Sequence, residues 1–273
     1  MLKRALQNGP LLIGLSIILI FVFLALFPWL VALYDPLEIH PGQSIVPPST
    51  TYWLGTDKLG RDIFSRVIYA SRPSLLMALG SVVVALVVGV PLGLSAGYFG
   101  GLVDALTMRV LDAIQSFPIL LFAILVLAFL GQGVVTLIPT IGLIYVPVFA
   151  RLTRGNTLAI KSREFVEASR AIGAPSPHIL FRVILPNCLT PITVQISLAL
   201  GVALLVEAAL SFLGLGVQPP TPAWGSMLQN AQAYVRIAPW YMLAPGFCIF
   251  ILILAFNLMG DGLREVIDPK LYE

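Results

Sequence analysis

Long apolar runs alternate with polar intervals along the whole chain. Six runs stand out, at roughly 10–33, 74–98, 102–130, 134–151, 189–213 and 241–260. A helix needs about 20 apolar residues to cross a bilayer. Five runs meet that length, and the fourth is short unless it extends past Arg151. The pattern predicts an all-α membrane protein with six transmembrane helices. Lys3 and Arg4 precede the first run. A secretory signal would have a shorter apolar stretch and then a small-x-small cleavage site, so an uncleaved anchor is expected.

Six spans put both termini on one side. With the N-terminus inside, the inner segments hold Lys3, Arg4, Arg109, Arg151, Arg154, Lys161, Arg163, Arg170, Arg182, Arg264 and Lys270. The outer segments hold Lys58, Arg61, Arg66, Arg72 and Arg236. Eleven of the sixteen Lys and Arg residues then lie inside and five outside, as the positive-inside rule requires. The expected divisions are an anchor with an extracytoplasmic polar segment (1–72), a five-span core (73–264) and a cytoplasmic tail (265–273).

The longest polar interval of the second half, within 161–186, is organised as an elbow. Phe165, Ala168 and Ile172 recur at helical spacing, with Glu164, Glu167 and Arg170 on other faces. Gly173 and Pro175 form a paired stop signal. Pro177 begins a second short piece, 178–184, and Pro186 leads into the next span. Small residues at Ala168, Ser169 and Ala171 allow another surface to come close. The charge count puts this elbow in the cytoplasm, where a bare helix of this kind suits docking by a soluble partner.

Within the spans, Ser81, Ala85, Gly89, Gly93 and Gly97 lie four apart, a spacing that lets helices approach in lipid. Packing against a neighbouring span is preferred here over pore lining. Arg109 and Asp112 are spaced to pair along one helix. Gln115, Ser116 and Pro118 either reach a central pathway or soften a packed helix. Gln195, Ala199, Ala203, Glu207 and Ser211 form another stripe, and Glu207 is the one acidic residue deep in a run. It serves either a structural hydrogen bond or an outer gate. Trp224 and Trp240, in the outer loop that follows, are placed to cap the pathway or anchor the membrane interface.

Composition narrows the chemistry. The chain is 58% hydrophobic and 11% charged, with mean hydropathy +0.96, which excludes an ordinary soluble domain. Cys188 and Cys248 suggest neither a disulfide framework nor a metal site. None of the four lysines follows a glycine, so a nucleotide-binding P-loop is absent, and HExxH and GxSxG are absent too. No catalytic, metal or cofactor residues are expected. An intramembrane enzyme would need paired acids or a Ser/His pair. A secondary carrier often shows internal repeats, and none is clear here.

Two motifs carry a resemblance to a known family. Glu167-Ala168-Ser169, then Gly173, then Val183-Ile184-Leu185-Pro186 resembles the EAA loop of ABC importer permeases, with Ser169 for Ala and Val183 for Ile. Gly55-Thr56-Asp57, Gly60-Arg61-Asp62 and Ser65-Arg66 resemble the GTDxxGRDxxSR signature of the dipeptide, oligopeptide and nickel branch. The stretches 207–220 and 257–269 are similar to the same branch, closest to its C-type permease. Read without the resemblance, the second motif makes a folded polar cap. The resemblance implies a type I ABC importer permease fold with a cytoplasmic coupling helix. It implies ATPase coupling through Glu164, Phe165, Glu167, Ala168, Ser169, Arg170 and Gly173. Implied partners are a second homologous permease, two ATP-binding subunits that carry ATP and Mg, and an extracytoplasmic binding protein. The implied setting is the bacterial cytoplasmic membrane, without nucleic acid. Dipeptides or oligopeptides are the expected substrates, with nickel, glutathione or opine-like solutes as alternatives.

Overall fold

The computed structural model describes residues 7–267. Lys3, Arg4, Lys270 and the tail from Asp268 onward lie outside the described residues. Among those described, helix is the only extended regular structure, with one isolated bridge between Thr56 and Asp62.

Helix α1 (Gly9–Leu26) begins where the Asn8 side chain accepts a hydrogen bond from the Leu11 amide at 2.9 Å. It ends earlier than the first apolar run, because Pro28 opens a separate turn of 3₁₀ helix, Pro28–Leu30. Helix α2 (Ile63–Phe99) starts well before the predicted 74, since Asp62 caps it by accepting from the Ser65 amide at 2.8 Å. The division expected at residue 72 therefore falls inside a helix.

The third predicted span is two helices, α3 (Gly101–Gln115) and α4 (Ile119–Leu130), bent by 93°. Pro118 has no N–H for the ladder and pushes Phe117 out of the helical region. Helix α5 (Val134–Ile160) continues nine residues past Arg151, so the short fourth run is a full span. After α6 (Glu164–Ala171) comes α7 (Ser176–Phe212), which is continuous through a π-helical stretch at Ile179–Ile184. The separate piece expected at 178–184 is thus the root of the fifth span. Pro177 sits in the first turn, and the widened turns end just before Pro186. Helices α8 (Trp224–Ala231) and α9 (Pro239–Ile267) follow.

Close approaches between the helices fix their directions. Gly80 faces Ile138, Gly89 faces Val146 and Phe149, and Gly97 faces Arg154 and Thr157. Positions rise together, so α2 and α5 run parallel. The α3–α4 pair must therefore carry the chain back across, and the described residues make six crossings. Asn8 donates to Glu265 at 2.6 Å while Gly14 meets Ala255 and Met259, so α1 and α9 are antiparallel. Gly201 and Gly260 place α7 antiparallel to α9 in the same way.

The α2–α5 seam shows what the small-residue stripe does. A Cβ on Gly89 would stand 2.8 Å from the Val146 carbonyl oxygen, and one on Gly97 would stand 2.7 Å from the Thr157 Cβ. At Gly93 it would run into the Ala150 carbonyl. Close packing in lipid relies on van der Waals contact between such surfaces, and side chains here would force the helices apart. Leu19, Ile20, Val87 and Leu243 stay more than half exposed on the outer faces, as suits lipid.

Candidate functional site

The elbow is anchored by few contacts. Within it, α6 has one buried residue, Val166, which joins the main core with Ile179 and Ile184 of α7. Three residues separate α6 from α5. Lys161 in that turn donates from Nζ to the Gly97 carbonyl at 3.0 Å, and the Arg170 guanidinium lies over the Tyr98 ring at 4.8 Å. With the short turn, these contacts tie α6 to the C-terminal ends of both α2 and α5. The far end closes with the Ala174 amide donating to the Ser169 carbonyl and the Gly173 amide to the Arg170 carbonyl. That bonding pattern is a Schellman cap, which needs a left-handed residue at Gly173, and Gly173 has φ +80°.

The apolar face expected on α6 exists but does not pack inward. Phe165 is 43% exposed and Ile172 is 83% exposed, while Ala168 is also open. Glu164, Glu167, Arg170 and Gly173 are exposed around them, and Ser169 is half-buried with its hydroxyl on the Phe165 carbonyl at 2.8 Å. The inward residue, Val166, is the one that the spacing argument missed. Its signal was modest: a single β-branched residue on the side opposite that stripe.

The four pathway candidates do not form one site. Gln115 ends α3, exposed, and accepts from Arg151 of α5. Gln195 is half-buried midway along α7. Glu207 is fully buried, accepts from the Ser211 hydroxyl at 2.7 Å and has Ser74 of α2 beside it. Its second carboxylate oxygen meets no partner among the described residues. Trp224 is also fully buried. Its indole N–H donates to the Val67 carbonyl at 3.0 Å and its ring meets Phe21 edge-on at 5.6 Å. It braces α8 against α2 and α1 and lies away from any open surface. Asp112 pairs with Arg151 and not with Arg109 as expected, because Arg151 projects from the neighbouring helix. Asp104 likewise takes both ends of the Arg154 guanidinium. Neither pair is readable at separations of 39 and 50 residues.

At the opposite end, the second motif folds on itself. Asp57 is fully buried. It accepts from the amides of Leu59 at 2.8 Å and Arg61 at 3.0 Å and from the Arg61 side chain at 2.7 Å, with Arg66 Nε at 3.6 Å. The Ser65 hydroxyl accepts from the Leu33 and Tyr34 amides and donates to Asp62. Arg66 donates to the Pro36 carbonyl at 2.7 Å. The motif clamps the 33–62 segment to the start of α2, the folded-cap reading given above.

Comparison with known proteins agrees with this geometry. Residues 89–272 match the family "Binding-protein-dependent transport system inner membrane component". The chain is 42% identical over 269 residues to a dipeptide transport system permease protein, DppC, of Alkalihalophilus pseudofirmus, covering 98% of this chain and 88% of that protein. It is 45% identical to a di/tripeptide permease DppC of Pseudomonas aeruginosa, covering 97% and 89%. It is 46% identical over 224 residues to a glutathione permease GsiD of Pectobacterium atrosepticum, covering 82% and 74%. Among solved structures, the inward-facing MetNI methionine ABC transporter matches with a TM-score of 0.61 at 19% identity, over 74% of this chain and 96% of that one. At that identity the likeness concerns the fold alone. The chain belongs to the inner membrane components of binding-protein-dependent transport systems, the permease subunits of ABC importers.

Proposed function

We propose that this permease forms half of a pathway for short peptides and is driven by ATP-binding subunits that seat on α6. The exposed apolar face of α6, with Phe165 and Ile172 outward beside a single buried anchor, carries the reading. On this account α6 and both termini are cytoplasmic, two ATP-binding subunits hold the ATP and Mg, and a second homologous permease completes the route. An extracytoplasmic binding protein delivers the solute to the outer end, near the cap.

The mechanism is alternating access without covalent chemistry. Closure of the ATP-binding subunits displaces α6. The three-residue turn, the Lys161 hydrogen bond and the Arg170–Tyr98 contact pass that displacement to the parallel α5 and α2. The pathway opens outward, accepts solute and resets after hydrolysis. The names of the relatives, dipeptide, di/tripeptide and glutathione permeases, support a small-peptide substrate. The test is uptake by the complete importer in proteoliposomes. Alanyl-alanine or glutathione accumulating only with ATP inside, in the presence of the binding protein, is expected. Accumulation of neither, with ATPase activity intact, would contradict the peptide assignment.

A further inference from the structure

The break between α3 and α4 lies at the depth of Ile144–Val148 of α5, halfway along a span. Phe117 is 51% exposed there, and Ser116 and Pro118 are exposed with it. Irregular backbone at membrane depth is tolerated where it meets protein or water, not lipid. The neighbouring ion pair meets the same constraint, since the Arg151 and Asp112 side chains are 42% and 65% exposed. Between the break and α5 is a notch of about 240 Å³, walled by Phe117, Ile119, Phe122 and Ile144 and lined also by Gln115 and Tyr145. Tyr145 is 6% exposed, and its hydroxyl has no partner among the described residues. That hydroxyl is sealed from the surface of the notch, so the notch itself offers chiefly apolar contact.

From this arrangement we infer that the α3–α4 break is a station for zwitterionic peptides on the pathway, where Arg151 takes the carboxylate, Asp112 the ammonium group, and the notch one side chain. The inference rests on the peptide-importer reading above. Arg151 gives one N–H to Gln115 and one to Asp112, leaving further donors of its five for an incoming carboxylate. Asp112 uses one oxygen for Arg151, leaving the other to accept from an ammonium. Opposite charges side by side match the one feature that short peptides of every sequence share, their two termini. The aromatic and aliphatic walls accept a side chain without selecting it by hydrogen bonds. A subunit that holds termini by charge and side chains by loose apolar contact passes many sequences.

The test uses the complete importer in two arms. In the first, Ser116→Cys reports on the break in the nucleotide-free complex without binding protein, read as a mass shift at that residue with a charged methanethiosulfonate. Modification is expected. Alanyl-alanine should slow it at least fivefold and alanyl-alanine amide should not, and Arg151→Gln should remove the protection. No modification would show the break buried against protein and overturn the inference. So would modification that alanyl-alanine leaves unchanged. In the second arm, uptake of alanyl-alanine should fall at least tenfold in Arg151→Gln and Asp112→Asn, with the assembled complex recovered in the parent's amount. Parent uptake with unimpaired variants overturns the station alone. A parent that takes up no peptide overturns the substrate reading beneath it.

Discussion

The cap at one end of the bundle and the elbow at the other each carry a sequence signature, and the fold treats them in opposite ways. In the cap, Asp57, Asp62, Ser65 and Arg66 are buried and bonded to one another and to nearby backbone. In the elbow helix α6 one residue, Val166, turns inward, and the apolar stripe of Phe165, Ala168 and Ile172 is left open. A signature whose groups bond chiefly to each other maintains a shape. A signature that leaves apolar surface exposed awaits a partner. Substitutions in the first should therefore lower stability, and in the second should lower coupling.

The largest effect is expected in the cap. Asp57→Ala leaves Arg61 and Arg66 largely buried without their counter-charge, a loss of about 3–5 kcal/mol for breaking a buried pair. Much less folded chain should be recovered from membranes, and normal recovery would remove the cap from the structural class. Glu207 tests whether internal closure extends into the spans. Glu207→Leu deprives the Ser211 hydroxyl of its acceptor and should cost about 1–3 kcal/mol, read as a lower melting temperature in detergent. Glu207→Gln keeps the hydrogen bond and should melt like the parent. Normal uptake by the Gln variant makes the role a hydrogen bond, and lost uptake makes it a charge-dependent gate. An unimpaired Leu variant contradicts both.

Gly173→Val probes the hinge of the elbow. A Cβ at Gly173 meets nothing within 4 Å, so the cost is the φ of +80° alone, about 1 kcal/mol or more. The chain should reach the membrane in normal amount and lose transport. Normal uptake would show that the direction of the elbow is unimportant. The smallest effect on stability belongs to Ile172→Ser. This exposed change should stay within about 0.5 kcal/mol of the parent while reducing recovery of the ATP-binding subunits with the complex. A marked fall in melting temperature would instead class the elbow with the cap.

Much of this division was legible in the residues. The apolar runs located the spans, Gly173 marked the turn of the elbow, and the Gly stripe of α2 marked its packing seam. The exceptions share a cause, the local chemistry of single polar residues inside long runs. Asp62 begins α2 early because a carboxylate reaches the Ser65 amide. Pro118 breaks a run whose hydropathy alone is continuous, whereas Pro177 and Pro186 are absorbed into α7 by a first turn and a π-helical stretch. Side-chain pairing across helices was not legible. Arg151 meets Asp112 and Gln115 only because α3 folds back along α5. Trp224 looked suited to an open route by its place in a loop, yet its indole is enclosed by α1, α2 and α8.

The side of the membrane is a separate matter. Ser162 lies at the end shared by Asn8 and Glu265, and Gln43 and Gln218 at the other. With the elbow cytoplasmic, cysteines at 43 and 218 should react with an impermeant reagent on intact cells stripped of any outer barrier, and one at 162 should not. Reaction at 162 but not at 43 would invert the assignment.

The central claim is that α6 presents its open apolar face to an ATP-binding subunit. A photo-activated cross-linking residue at position 172, in the assembled importer, tests it directly. The account predicts a covalent adduct between this chain and an ATP-binding subunit, absent when the same residue stands at exposed Trp53 in the cap. An importer that hydrolyses ATP and transports yet gives no such adduct from position 172, or gives it from position 53, would contradict the account.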